Sequence, residues 1–172
     1  MESKKAKVVL NSSAIIALSR LKMLMNLKRI FDELIVPRAV YEEVCIRGSG
    51  LVGDKELREA VESGVIVVQD VKNKEFVEEL RAKLSIGEAE VIALAVETKA
   101  NYAVLDDKIA RKTAKEKGLN VIGTLRVLKI LQDKGVISKE TSIELIKKLR
   151  KHGFRISETV IRKLLKMINR KR

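Results

Sequence analysis

The strongest constraint on this chain is an alternation. Short, continuous apolar runs, KVVL at 7–10, LIV at 34–36, VIVV at 65–68, YAVL at 102–105 and the briefer NVIG at 120–123, are separated from one another by segments with helical patterning. A strand buried on both faces reads as such a run rather than as alternating polar and apolar residues. Strands joined through helices are parallel, because the return to the same edge of a sheet needs a right-handed crossover. The pattern predicts an α/β chain, with a parallel sheet of about four to five strands between two helical layers, α/β/α.

The punctuation between the runs agrees. Asn11-Ser12-Ser13 follows KVVL as a helix N-cap signal, and two short helical segments are expected around 14–20 and 24–32. Pro37, the only proline, is expected at the first position of a helix, PRAVYEEVCIRG, that stops at Gly48. Residues 48–53 read as a loop, Asp54 as the cap of a helix through Ser63, and Gly64 as its stop. Asn73 opens a helix to about Leu84, Ile86-Gly87 is expected to break it, and a further helix is expected over 88–99 with Val91 and Ala95 in its apolar stripe. A basic helix spans 107–117, and Thr124 starts another that reaches Lys134. Beyond Gly135 only helical patterns remain, at 139–151 and 157–170. These suggest a domain over 1–137 and a basic helical extension over 138–172 packed on it. No internal repeat or low-complexity linker interrupts the chain.

At 172 residues and 46% hydrophobic content there is enough apolar material for one core without covalent staples. Cys45 is the only cysteine and His152 the only histidine, which excludes an intrachain disulfide, a Cys/His zinc cluster, a Ser/His/Asp triad and a Cys/His dyad. Cys45 reads as a small core residue, His152 as a cation complementing a helix end, and Met23, Leu24 and Met25 as core or interface filler. The N-terminal MESKKAKVVLNSSAIIAL lacks a signal-peptide cleavage pattern, and its apolar part reads as a strand. No apolar run approaches a membrane span, so a reducing, cytoplasmic setting with no membrane partner is expected. Abundant Lys, Glu and Ile, with Gln only at 69 and 132, lean toward a thermophilic source.

The net charge of +13 points to a polyanionic partner, nucleic acid foremost; a solvated lysine-rich face is the bland alternative. From Lys139 to Arg172 there are twelve Lys and Arg against three Glu, so much of the excess is C-terminal. Aromatic residues make up 3% of the chain, which leaves little for base stacking and puts the contact on phosphates.

With histidine and cysteine chemistry excluded, carboxylates remain. Functional groups of a parallel sheet collect beyond the carboxyl ends of its strands, and the acids follow that rule. Asp106 and Asp107 follow YAVL, Glu42 and Glu43 sit in the helix after LIV, Glu88 and Glu90 open another helix, and Asn11 follows KVVL. Each alone is also what ordinary helix capping produces. Converging as a set, they would repel one another unless a hard cation such as Mg²⁺ or Mn²⁺ neutralised them.

The order of these segments, strand plus Asn11-Ser-Ser, VPRAVYEEV, IGEAEVIALAVE, YAVLDDKIAR and GLNVIGTLRVLK, resembles the PIN-domain nucleases, and within them the VapC-like prokaryotic branch. The resemblance runs from about Lys7 to the end, including GFRIS at 153–157. It implies a compact α/β/α fold, acids gathered around Mg²⁺ or Mn²⁺, and cleavage of single-stranded RNA by metal-activated water. Carried over by residue, it implies Glu43, Glu88 and Asp107 or Asp106 as metal ligands, with Glu90 as the alternative to Glu88. Ser13 and Thr124 fall on supporting hydroxyl positions, where they also read as plain helix caps. Lys108, Arg111, Arg155, Arg162 and Lys163 are the candidate RNA contacts. A protein antitoxin and a homodimer are further implications, the dimer through leucines such as Leu18, Leu21 and Leu24.

One position departs from the family. Asn11 stands where the family has its first Asp, which exchanges an anionic ligand for a neutral amide and should weaken cation binding. Two readings follow: a metal-dependent endoribonuclease, or a catalytically impaired module that binds nucleic acid or an antitoxin. A phosphoaspartate receiver or phosphatase also gathers acids at strand ends, but Asn11 and the GEAE helix argue against it.

Overall fold

The computed structural model describes residues 6–170; the basic start of the chain, residues 1–5, lies outside the described residues. Five parallel strands form one sheet: β1 (Ala6–Val9), β2 (Phe31–Pro37), β3 (Ile66–Gln69), β4 (Tyr102–Val104) and β5 (Val121–Ile122), in the order β3-β2-β1-β4-β5. The central strand comes from KVVL: Val8 and Val9 pair with Leu34 and Ile35 on one side and with Tyr102 and Ala103 on the other. Val8, Val9 and Leu10 are wholly buried, which is why the run shows no polar alternation. The chain winds outward through β2 and β3, then returns to the far side of β1 for β4 and β5. The order thus reverses between β1 and β4, and a crevice forms beyond the carboxyl ends of strands at such a reversal.

Helices flank the sheet. They are α1 (Ser12–Arg20), α2 (Arg38–Tyr41) running into a π-wound turn (Glu42–Arg47), α3 (Asp54–Glu62), α4 (Lys74–Leu80), α5 (Ile86–Glu97) and α6 (Lys108–Glu116). The expected α/β fold with a parallel, helix-flanked sheet is therefore present. Several local expectations are corrected. The segment at 24–32 is a 3₁₀ helix, Leu24–Arg29, and β2 begins at Phe31, ahead of the LIV run. Pro37 ends β2 and is the N-cap of α2 rather than its first helical residue. Gly53, with a left-handed φ of 101°, takes the N-cap place expected for Asp54. Leu18, Leu21 and Leu24, expected as an exposed dimer face, are buried in the chain's own core.

The largest correction concerns α5. Ile86-Gly87 does not break a helix; Ser85 caps one that starts at Ile86. Nor is its apolar surface a stripe. Gly87 and every residue from Ala89 to Ala95 are buried, and the helix packs on β1, β2, β4, α2, α4 and α6. A helix apolar all round belongs in the centre of a fold.

The chain divides into two compact units, Met1–Thr124 and Leu125–Arg172. The first contains the sheet. The second comprises α7 (Thr124–Asp133) beyond its first residue, α8 (Lys139–Lys151) and α9 (Glu158–Asn169). Within it Ile146, Leu149, Leu164 and Ile168 are buried, and an Arg150–Glu158 ion pair joins α8 to the start of α9. Among the described residues no helix is long and apolar enough to cross a membrane.

Candidate functional site

The site begins with the residue after the central strand. Asn11 is the N-cap of α1: its Oδ1 accepts the Ala14 N–H at 2.9 Å, and the side chain is only 6% exposed. Only the oxygen of an amide can accept that bond, so the remaining polar atom of Asn11 is Nδ2, a donor. A carboxylate here could cap with one oxygen and offer the other to a cation. The amide caps equally well and offers an N–H instead.

Beside Asn11, Ser12 reaches across to the turn after β2, and its Oγ donates to Glu43 Oε2 at 2.7 Å. Glu43 lies in the π-wound turn. Such turns widen a helix locally and recur at functional sites. The turn is held at its far end by Arg58, which donates Nη2 to the Cys45 carbonyl at 2.5 Å and Nε to Asp54 Oδ1 at 2.6 Å, while Asp54 Oδ2 accepts the Gly50 N–H at 2.8 Å. The Gly50 N–H and then Arg58 hold the Asp54 carboxyl below its usual range, and Asp54 in turn raises Arg58. Burial pushes the Cys45 thiol up to about 11, so it is an inert core group.

Across from Glu43 lies the first turn of α5. Ser85 Oγ accepts the Glu88 N–H at 3.2 Å and Glu88 Oε2 accepts the Ser85 N–H at 3.1 Å, a reciprocal capping box. Gly87 lets Glu43 approach: a Cβ there would stand 3.2 Å from Glu43 Oε2 and 3.7 Å from Val40. Glu90 points elsewhere. It is 7% exposed, and its Oε2 accepts the Ala39 N–H at 2.8 Å, so it closes the N-terminus of α2.

Asn11, Ser12, Ser13, Glu43, Ser85, Gly87 and Glu88 together line one small polar cleft of about 60 Å³. Asp106 and Asp107 do not line it. The pairing of β1 with β4, extended past both strand ends, sets Asp106 on the neighbouring strand one residue beyond the level of Asn11. Both its oxygens are engaged by Thr124, Oδ1 by the N–H at 2.8 Å and Oδ2 by Oγ1 at 2.7 Å. Thr124, fully buried, is thus a donor to Asp106 rather than a cap for its own helix. Asp107 caps α6, accepting the Ala110 N–H at 2.9 Å. Arg111 donates to the Leu105 carbonyl at 2.9 Å, and with Asp106 it crowds Gly123, where a Cβ would lie 2.9 Å from the Arg111 nitrogen and 3.1 Å from Asp106 Oδ1.

A family model, DUF3368, described as a PIN domain, matches residues 7–170. The chain belongs to the PIN-domain family. No curated protein matches it. In this PIN domain, no three His, Cys, Asp or Glu side chains among the described residues converge closely enough to make a metal cluster by themselves. The two carboxylates that share the cleft are of a kind that holds a partly hydrated hard cation. Mg²⁺ is commonly held by one or two carboxylates and keeps several waters. Glu43 and Glu88 each have one oxygen not committed to the bonds above. The donor set fits Mg²⁺ or Mn²⁺ better than a softer ion, with Asn11 as the unfavourable member.

Of the remaining sequence candidates, Lys108 and Arg111 line a groove along α6 with Asp106, and Arg155, Arg162 and Lys163 are exposed in the second unit. Sequence reasoning passed over Ser12 in favour of its neighbour Ser13, which is exposed. It also passed over Ser85, although Ser85-Ile-Gly-Glu88 spells a capping box.

Proposed function

We propose that this PIN domain, of the VapC-like branch, is a Mg²⁺- or Mn²⁺-dependent endoribonuclease for single-stranded RNA, attenuated by Asn11. One observation carries the reading: Glu43 and Glu88, from separate elements, line one cleft with Asn11 at the carboxyl edge of the central strand. Glu43 and Glu88 would hold the cation, which when bound supplies an acidified water and neutralises charge on a phosphodiester. Ser12 fixes the Glu43 carboxylate, and the capping box fixes Glu88, so neither needs to reorganise on binding. Asp106 and Asp107 supply negative potential at the adjoining strand end, with Asp106 oriented by Thr124. Lys108, Arg111, Arg155, Arg162 and Lys163 contact the RNA backbone. As the toxin of a toxin–antitoxin pair the protein would also bind an antitoxin and form a homodimer, which sedimentation at micromolar concentration tests.

The deciding experiment measures cleavage of an end-labelled single-stranded RNA in Mn²⁺, in Mg²⁺ and in EDTA, for the parent, Glu43→Gln, and Asp106→Asn with Asp107→Asn. Metal-dependent cleavage lost in the variants is expected. Cleavage that persists in EDTA overturns the proposal. The Nδ2 donor of Asn11 favours a second reading, a module that binds RNA or an antitoxin without cutting. Salt-sensitive RNA binding with no turnover in Mn²⁺ is its signature.

A further inference from the structure

Charge on the first unit is not evenly compensated. Lys7, Arg38, Lys55, Arg58, Arg81 and Lys117 each lie within 4.0 Å of a carboxylate oxygen. Other cations of the first unit, Lys74 and Lys83 among them, have no such partner among the described residues, but α6 gathers four into one row. Lys108, Arg111, Lys112 and Lys115 recur at the spacing that puts side chains on one helix face, and none of them has an ion-pair partner among the described residues. All four line a single open groove of about 710 Å³, which includes Asp106 at one end and Glu116 as its other acid. Lys108, Lys112 and Lys115 are exposed, and Arg111 is half-buried because it is held on the Leu105 carbonyl.

Like charges three and four residues apart repel, so such a face costs the isolated helix some stability. A linear polyanion in the groove would remove that cost. The groove is also polarised. Asp107 and Lys108 begin α6 next to the end of β4, so the cationic row starts at the strand edge and runs away from it for about two helical turns. Arg111, with its guanidinium fixed beside Asp106, is the preorganised member; the lysines are mobile point charges.

We propose that the α6 groove is the phosphate track for one nucleic-acid strand, with Lys108, Lys112 and Lys115 contacting successive backbone phosphates and Arg111 holding the phosphate nearest the strand edge. The choice of RNA as the strand rests on the function proposed above; the assignment of the surface does not, because binding is measured without cutting.

The test is the salt dependence of binding of a fluorescent oligouridylate, followed by anisotropy in EDTA between about 50 and 200 mM salt, a range over which phosphate contacts weaken markedly. Two variants with the same change in net charge are compared, Lys112→Gln/Lys115→Gln on the track and Lys74→Gln/Lys83→Gln off it. Each phosphate contact contributes about 0.7 to the logarithmic salt slope of a single strand, so the track variant is expected to lose about 1.4, and the other variant little. Arg111 is left intact because it also holds the Leu105 carbonyl. Equal losses in both variants would mean that only net charge matters and would overturn the track, as would a parent that does not bind. A slope lost on the track with no cleavage in Mn²⁺ sustains the track and removes the nuclease; cleavage with an unchanged slope does the reverse.

Discussion

Asn11→Asp tests the cleft most directly, since it exchanges one atom group without changing shape. The capping bond to Ala14 should survive, because Asn and Asp cap about equally, and a negative charge at the start of nine-residue α1 gains about 0.3–1 kcal/mol from the helix dipole. Against this stands repulsion from Glu43 and Glu88, which line the same cleft. At an effective dielectric of about 20, unit charges roughly 7 Å apart repel by about 2 kcal/mol per pair. Two such pairs cost about 4 kcal/mol, so without metal the variant should lose about 3–4 kcal/mol net, a fall in melting temperature of about 6–16 °C for a chain of this size. With Mn²⁺ the sign reverses. A third carboxylate should tighten the ion about 10²-fold, near 2.7 kcal/mol, and raise the cleavage rate by a similar factor. Differential scanning calorimetry in EDTA and across a Mn²⁺ titration measures the first two effects, and a single-turnover assay on labelled RNA the third. An unchanged melting temperature in EDTA together with unchanged Mn²⁺ affinity would refute the reasoning, because it would mean that position 11 does not feel the two glutamates.

Three further outcomes follow from the geometry. Gly87→Ala should leave stability unchanged or raised by up to about 1 kcal/mol through helix propensity, yet lower cleavage about tenfold by pushing Glu43 aside; thermal melts and a rate assay on one preparation separate the two effects. The Cys45 thiol, buried and raised to about 11, should resist iodoacetamide at pH 8 in the native protein and react at once in denaturant, as mass spectrometry would show. Asp54, whose folded carboxyl lies below its ordinary 3.8, supports the fold above that value and loses its contribution as pH falls through the folded one; Asp54→Asn should flatten that part of an acid melting profile.

What the sequence made legible was what local chemistry decides. KVVL and YAVL announce strands because both faces are buried, and the residues after them necessarily stand at the carboxyl edge. Helix caps at Asn11, Asn73 and Asp107 are short-range hydrogen bonds, and the chain spells them out. What stayed hidden depends on distant partners. Gly87 looked like a breaker because its purpose, room for Glu43, lies more than forty residues away in the chain. Glu90 looked like a candidate ligand because nothing local shows that it closes α2 through the Ala39 N–H. Leu18, Leu21 and Leu24 suggest a dimer face because nothing local in the sequence shows the short 3₁₀ segment, Leu24–Arg29, that helps to bury them.

The π-wound turn after β2 amounts to one surplus residue, and it puts the chain out of phase with an ordinary helix. The buried pair Ala39 and Val40 recurs as Val44 and Cys45, an interval of five where three or four would be usual. Removing one residue would restore the common interval and swing whatever follows by about 100° around the helix axis. The length of this turn, more than the identity of any residue in it, thus decides which acid faces the cleft. Two chains of this fold that differ by a single residue between Val40 and Val44 would present different side chains there, and aligned letters alone would not disclose it.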